Sequence, residues 1–280
     1  MAFSRIKKYI SRGITYIVKG IPNNTVNAQI VYSLPSEKLK NKKIIVTGGG
    51  SGIGYAMAKK FKEEGAQVLI AGRNEDKLRK SSKELDCHYL ILDVTKVETF
   101  ESFIYNANNI LRGANCLVNN AGISLHEKTF AHVTPDSFDK QINTNLKGSF
   151  FLTQKFVMML LTQDLEGNIL FVSSETGDTV DIRPYGWTKA AINSMMKGLA
   201  YKLASKNIRV NAIAPGVTTS EMTGVKENGN LYSKNGATKR VYLPGEVAET
   251  AAFLLSDLSG CISGQIIVLN NGKTINFRGK

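Results

Sequence analysis

From residue 43 onward the chain alternates short apolar runs with stretches of helical period, and few folds accommodate that order. The runs fall at residues 43–47, 67–71, 88–92, 116–119, 168–173, 208–213 and 265–269, and helical patterns begin near 52, 75, 96, 135, 185 and 245. Strands that are apolar throughout bury both of their faces, and strand–helix–strand crossovers are right-handed. These rules predict an α/β fold with a doubly wound parallel sheet, the Rossmann fold. The expected organisation is one domain over residues 41–280 and an N-terminal extension with linker over residues 1–40. About 240 residues are enough for a single sizeable core. Ligands of such sheets sit beyond the carboxyl ends of the strands, so the segments that follow the strands are expected to converge on one rim.

Those segments carry the chemistry. The first run enters Thr47-Gly48-Gly49-Gly50-Ser51-Gly52-Ile53-Gly54 and leaves as a helix. Glycine there admits positive φ and the close approach of a pyrophosphate to backbone N–H groups at a helix N-terminus. The run at 116–119 continues as Asn119-Asn120-Ala121-Gly122, and Asn145-Leu146-Lys147-Gly148 and Ser173-Ser174 follow. Tyr185 and Lys189 are four residues apart on a predicted helix, so both project from one face. An ammonium near a phenol favours the phenolate, and such a pair can exchange protons near neutral pH.

In this order and spacing the motifs resemble the short-chain dehydrogenase/reductase family over about residues 40–272. The resemblance implies an NAD(P)-dependent oxidoreductase that interconverts a carbonyl and a secondary alcohol, with ketone or 3-oxoacyl reduction as the expected direction. It assigns catalysis to Asn145, Ser174, Tyr185 and Lys189. Asn145 would hold a helix and a relay water, with Asn143 as its neighbouring competitor. Ser174 would bond the substrate oxygen, Tyr185 would carry the proton, and Lys189 would lower the Tyr185 pKa and bind the nicotinamide ribose. The gap from Ser174 to Tyr185 is a residue or two shorter than the family norm, which leaves Ser173 as an alternative. The resemblance assigns cofactor contacts to Thr47, Gly48, Ser51, Gly52, Ile53, Gly54, Arg73, Asp93, Val94, Asn119, Ala121, Gly122, Tyr185, Lys189, Pro215, Gly216 and Thr218. Arg73 ends the second strand where an acid would select NAD, and an Arg accommodates the 2′-phosphate of NADP. NADP (NADPH) is therefore expected over NAD, although Ser51 stands where many NADP-using members carry a base. The alternative reading is a non-catalytic dinucleotide-binding scaffold or sensor with the same fold. A related-fold nucleotide-sugar epimerase is disfavoured by the glycine spacing and the short C-terminal region.

Composition narrows the partners. The net charge is +13, but residues 1–43 hold nine basic residues against Glu37, so +8 of it lies in those residues. The remainder is dispersed, and no nucleic-acid motif accompanies it. Cys87, Cys116 and Cys261 and the three histidines show no metal spacing, so no metal is expected and a reducing, cytoplasmic location is. No apolar run reaches the roughly 18 residues of a membrane-spanning helix. Ile6, Ile10, Ile14 and Ile17 lie at helical spacing among Arg5, Lys8, Arg12 and Lys19. A basic amphipathic helix over residues 1–20 reads as a peripheral membrane contact, an organellar transit signal, or a helix docked on a protein surface. The segment from Ser220 to Leu243 is expected to form a lid. The tail Leu269-Asn270-Asn271-Gly272 departs from the family's Val-Asp-Gly-Gly in a region that usually meets a second subunit, so a homo-dimer or homo-tetramer is expected.

Overall fold

The computed structural model describes residues 37–275; the predicted leader helix over residues 1–20 lies outside them. All seven predicted strands are present: β1 (Lys43–Thr47), β2 (Gln67–Gly72), β3 (His88–Ile91), β4 (Cys116–Asn119), β5 (Gly167–Val172), β6 (Ile208–Pro215) and β7 (Ile266–Leu269). They form one sheet, every pair parallel, in the order β3-β2-β1-β4-β5-β6-β7. The order reverses between β1 and β4, and such a switch point opens a crevice at the carboxyl ends of the strands.

Alternate residues of each strand feed two cores, one on each face. Ile45, Leu69, Leu117, Ile169, Phe171 and Val210 pack against α3 (Phe100–Leu111), α5 (Ser149–Thr162) and α6 (Pro184–Leu203). Ile44, Val46, Val68, Ile70, Val118, Leu170 and Ile213 pack against α1 (Gly52–Glu63), α2 (Glu75–Leu85) and α7 (Pro244–Leu255). Phe100, Phe156 and Phe171 in the first core and Phe61 in the second are fully buried. Each contributes about 1.5–3 kcal/mol relative to an exposed side chain. The two cores explain why the strands read as continuous apolar runs.

One helix start differs from the periodicity, and another helix changes its winding. The helix expected near 96 begins at Phe100, after a 3₁₀ turn over Val97–Thr99. The delay follows from Asp93, whose Oδ1 accepts from the Thr95 N–H and hydroxyl and holds the chain in a turn. The helix expected near 135 starts there as α4 (Pro135–Gln141), capped by Thr134. It widens into a π-helical stretch over Ile142–Gly148 and continues as α5. Gly148 lies against the Val94 carbonyl, where a Cβ would stand 2.2 Å from the oxygen. Pi-helical bulges recur at functional sites, and this one carries Asn145.

Between β6 and α7 the expected lid folds over a small core of Leu231, Val241 and Leu243. It reaches across the crevice at two points. Lys77 Nζ bonds Glu221 at 2.6 Å, and His126 Nε2 lies 3.0 Å from the Met222 carbonyl oxygen.

Candidate active site

The strand ends enclose a cleft of about 790 Å³. Its floor begins at the glycine turn. Gly48 and Gly52 have φ of 66° and 55°, and a Cβ at Gly54 would stand 2.1 Å from the Gly48 carbonyl oxygen. The turn cannot close with side chains at these places, so bare backbone faces the cleft at the start of α1. Thr47 lies beneath it. Its hydroxyl donates to the Val118 carbonyl and accepts from the Asn120 and Ala121 N–H groups at 3.0 and 3.1 Å. Asn120 completes the junction by donating to the Thr47 and Gly48 carbonyls. The doubled Asn of the sequence thus divides its work. Asn120 ties β4 to the glycine turn, while Asn119 points the other way and donates to Thr153 on α5 at 2.9 Å.

Of the cofactor residues expected from sequence, Thr47, Gly48, Ser51, Gly52, Ile53, Gly54, Arg73, Val94, Ala121, Gly122, Tyr185, Lys189, Pro215, Gly216 and Thr218 all line this cleft. Asp93 and Asn119 stand outside the lining. Burial alone would raise the Asp93 carboxyl, but the two Thr95 bonds and the Arg73 charge outweigh it and hold it below its ordinary value. Asp93 therefore acts as an anionic neighbour of Arg73. Arg73 itself is exposed just past the end of β2 and lines the cleft.

At the other end β5, α6 and the π-helical stretch bring the four catalytic candidates together. Both serines line the cleft, but their hydroxyls have different partners. The Ser173 hydroxyl is buried and donates to Asn193 Oδ1 at 2.6 Å, which fastens the end of β5 to α6. Ser174 lines the cleft on the same wall as Tyr185 and acts to lower its phenol pKa. Thr176 donates to Ser174 Oγ twice, from its N–H at 3.2 Å and its hydroxyl at 3.0 Å. A hydroxyl oxygen has two lone pairs and one hydrogen. With both lone pairs occupied, the hydrogen is left for the Tyr185 oxygen or a substrate oxygen.

Tyr185 is half-buried in the cleft wall. Burial pushes its phenol above the ordinary value of 10, Ser174 opposes that, and the Asp181 carboxylate adds to it. Lys189 is not among the groups that set this direction. Lys189 Nζ lies 5.5 Å from the Tyr185 ring centroid and donates to the Val172 carbonyl at 2.8 Å. Burial pulls the Lys189 ammonium down to about 8. It stays charged at neutral pH, though at a cost.

Asn145 clamps one peptide unit. Its Oδ1 accepts from the Ile123 N–H at 2.8 Å and its Nδ2 donates to the Ile123 carbonyl at 2.9 Å. The same Nδ2 reaches Thr188 Oγ1 at 3.2 Å, and Thr188 donates to the Tyr185 carbonyl. Asn145 therefore holds both the loop after β4 and the first turn of α6, which carries Tyr185. The sequence reading assigns no role to Thr188, Asn193, Thr176 or Asn120. Asn120 stands inside the Asn-Asn-Ala-Gly run, and Asn193 lies one helical turn beyond Lys189.

The arrangement fits an extended dinucleotide. Bare backbone and a helix N-terminus would meet a pyrophosphate at one end, and the buried Lys189 would meet a hydroxylated ring at the other. Among the described residues no cluster of His, Cys, Asp or Glu suits a metal ion, and no helix is long and apolar enough to cross a membrane.

Comparison with known proteins agrees with the geometry. Residues 48–274 match the family described as Enoyl-(Acyl carrier protein) reductase. The chain is 32% identical over 245 residues to the 3-oxoacyl-[acyl-carrier-protein] reductase FabG of Aquifex aeolicus, covering 84% of this chain and 98% of that protein. It is 34% identical over 250 residues to the protein of the same name from Thermotoga maritima, covering 85% and 100%. Among solved structures, gox2181 superposes with a TM-score of 0.79 at 30% identity, covering 86% of this chain and 99% of that one. A short-chain type dehydrogenase/reductase from Mycobacterium marinum gives 0.78 at 27% identity, covering 86% and 98%. Fold, site and relatives converge: the chain belongs to the short-chain dehydrogenase/reductase family, oxidoreductases that use a nicotinamide dinucleotide.

Proposed function

We propose that this protein is an NADPH-dependent carbonyl reductase that converts a ketone or a 3-oxoacyl group to the secondary alcohol, and the reverse. The observation that carries this reading is that Ser174, Tyr185 and Lys189 line one cleft, with the Ser174 hydroxyl oxygen already accepting twice from Thr176. Two hydroxyl donors in one cleft suit an oxygen that gains charge as its carbonyl carbon is reduced. A nicotinamide dinucleotide bound there would supply the hydride. Ser174 orients the carbonyl oxygen, and Tyr185 delivers its proton to that oxygen. A phenol pushed up by burial holds the proton until the alkoxide demands it. Lys189, charged below about 8, balances the phenolate that remains. Asn145 and Thr188 keep the Tyr185 turn in place against the loop after β4.

NADP over NAD follows from Arg73, an exposed guanidinium at the strand end beside the adenosine side of the cleft. Assembly into a homo-oligomer is part of the same reading. Helix α5 exposes Phe150, Phe151, Met158 and Leu161, and α3 exposes Tyr105 and Ile110, a surface that a second copy would cover. The test is turnover of acetoacetyl-CoA, a plain ketone and an enoyl thioester with each nicotinamide cofactor. Consumption of NADPH with the oxo substrates is expected. Cofactor binding without turnover of any of the three would favour the scaffold reading.

A further inference from the structure

Glu175 follows Ser174 in the chain, lines the cleft, and is buried, with 6% of its surface exposed. An acid in such a place requires compensation, and it comes from the far end of the sequence. Lys273 Nζ lies 2.5 Å from Glu175 Oε1, and Asn270 Nδ2 donates to Oε2 at 3.1 Å. Asn270 is 1% exposed, and its Nδ2 also donates to Thr274 Oγ1 at 3.0 Å. The tail holds its shape through a turn in which Lys273 N–H donates to the Asn270 carbonyl, with Asn271 and Gly272 at positive φ.

The neighbours of Ser174 are fastened from two sides. Helix α6 grips Ser173 and Gly177 through Asn193, whose Oδ1 accepts from Ser173 and whose Nδ2 donates to the Gly177 carbonyl. The C-terminal tail grips Glu175. Ser174 lies between these anchors, and its hydroxyl oxygen accepts only from Thr176 among the bonds within the protein. Asn270 also packs beside Gly216, where a Cβ would come within 3.2 Å of its own Cβ. One tail residue thus touches the supports of both the serine and the nicotinamide-side loop.

We propose that Glu175, held by Asn270 and Lys273, is a positioning residue that fixes Ser174 for catalysis. The proposal rests on the reductase reading above. Without Lys273 the carboxylate keeps only a neutral partner in a buried place. It then turns toward water and carries the neighbouring serine with it, and misplacing a reacting group by about 1 Å costs as much as 100-fold in rate.

Four variants test this: Lys273→Met, Glu175→Gln/Lys273→Met, Ser174→Ala, and Ser174→Ala/Lys273→Met. Each is assayed with acetoacetyl-CoA and NADPH, for NADPH affinity, and for amide hydrogen exchange over residues 173–178. Lys273→Met is expected to lower kcat roughly tenfold, to leave NADPH affinity within about twofold, and to speed exchange over 174–178. The neutral pair in Glu175→Gln/Lys273→Met keeps the bond to Asn270 and restores both kcat and exchange. It also carries the test if the single variant fails to fold. In the Ser174→Ala background Lys273→Met costs nothing further, because the group it acts through is gone. Equal losses in both backgrounds, or unchanged kcat and exchange, would overturn the proposal. Absence of turnover by the wild type would instead sink the reductase reading, and the exchange data alone would then decide whether the tail anchors Glu175.

Discussion

Replacing Lys189 with Met should abolish turnover and yet stabilise the fold, by an amount that depends on pH. Burial lowers the Lys189 ammonium from its ordinary 10.5 to about 8. At about 1.36 kcal/mol per pKa unit, the charged form costs the fold about 3 kcal/mol. Met removes that cost but cannot donate to the Val172 carbonyl, now served at 2.8 Å. An orphaned buried acceptor costs about 1–3 kcal/mol. The net gain at pH 7 is therefore about 0–2 kcal/mol. The sign of the pH dependence is more telling than its size. Below about 8 the lysine is protonated in both the folded and the unfolded chain, so the penalty on the wild type is constant. Between about 8 and 10.5 the unfolded chain holds the proton and the folded one has released it, so wild-type stability rises with pH. The advantage of the variant should be flat below about 8 and shrink by about 3 kcal/mol as pH rises to 10.5. Urea unfolding of both proteins at a series of pH values measures it. A difference independent of pH across that window would refute the burial argument, and a variant that keeps wild-type turnover would refute the role of the lysine.

Tyr185→Phe keeps the ring packing and loses the transferable proton; turnover should fall by about 10²–10⁴-fold with cofactor affinity nearly unchanged, and a loss under about tenfold would count against the assignment. Arg73→Asp should weaken NADPH about tenfold or more while NADH changes little, because a charge-assisted bond of about 1.5–3 kcal/mol to the extra phosphate is lost; fluorescence titration of both cofactors reads it, and equal losses would show that Arg73 does not contact that phosphate. Gly54→Ala places a methyl 2.1 Å from the Gly48 carbonyl oxygen, so the turn must open and binding of either cofactor should be lost in the same titration. Deletion of residues 1–36 should leave a folded, active enzyme that no longer cosediments with anionic vesicles, whereas the full chain does so less at high salt; equal sedimentation of both forms would exclude membrane attachment by the leader.

The sheet is legible in the amino-acid sequence because its causes are local. Seven apolar runs at strand length, each followed by glycine, asparagine or serine or by another turn-forming segment, leave a doubly wound sheet and a reactive rim at the strand ends. Tyr185 and Lys189 are legible for the same reason, since four residues of helix fix a shared face. Tertiary structure decides whatever depends on partners remote in sequence. It gives the Ser173 hydroxyl to Asn193 and leaves Ser174 with Thr176, though the two are identical and adjacent. It turns Asn119 toward Thr153 and Asn120 toward the glycine turn. It pairs Glu175 with a lysine 98 residues away. It also sets the protonation of the site, because Lys189 is pulled down and Tyr185 pushed up by the depth at which the packed domain holds them. Periodicity and spacing act between near neighbours and can be read along the chain, whereas burial and the direction of a single hydroxyl exist only once distant segments have closed around it.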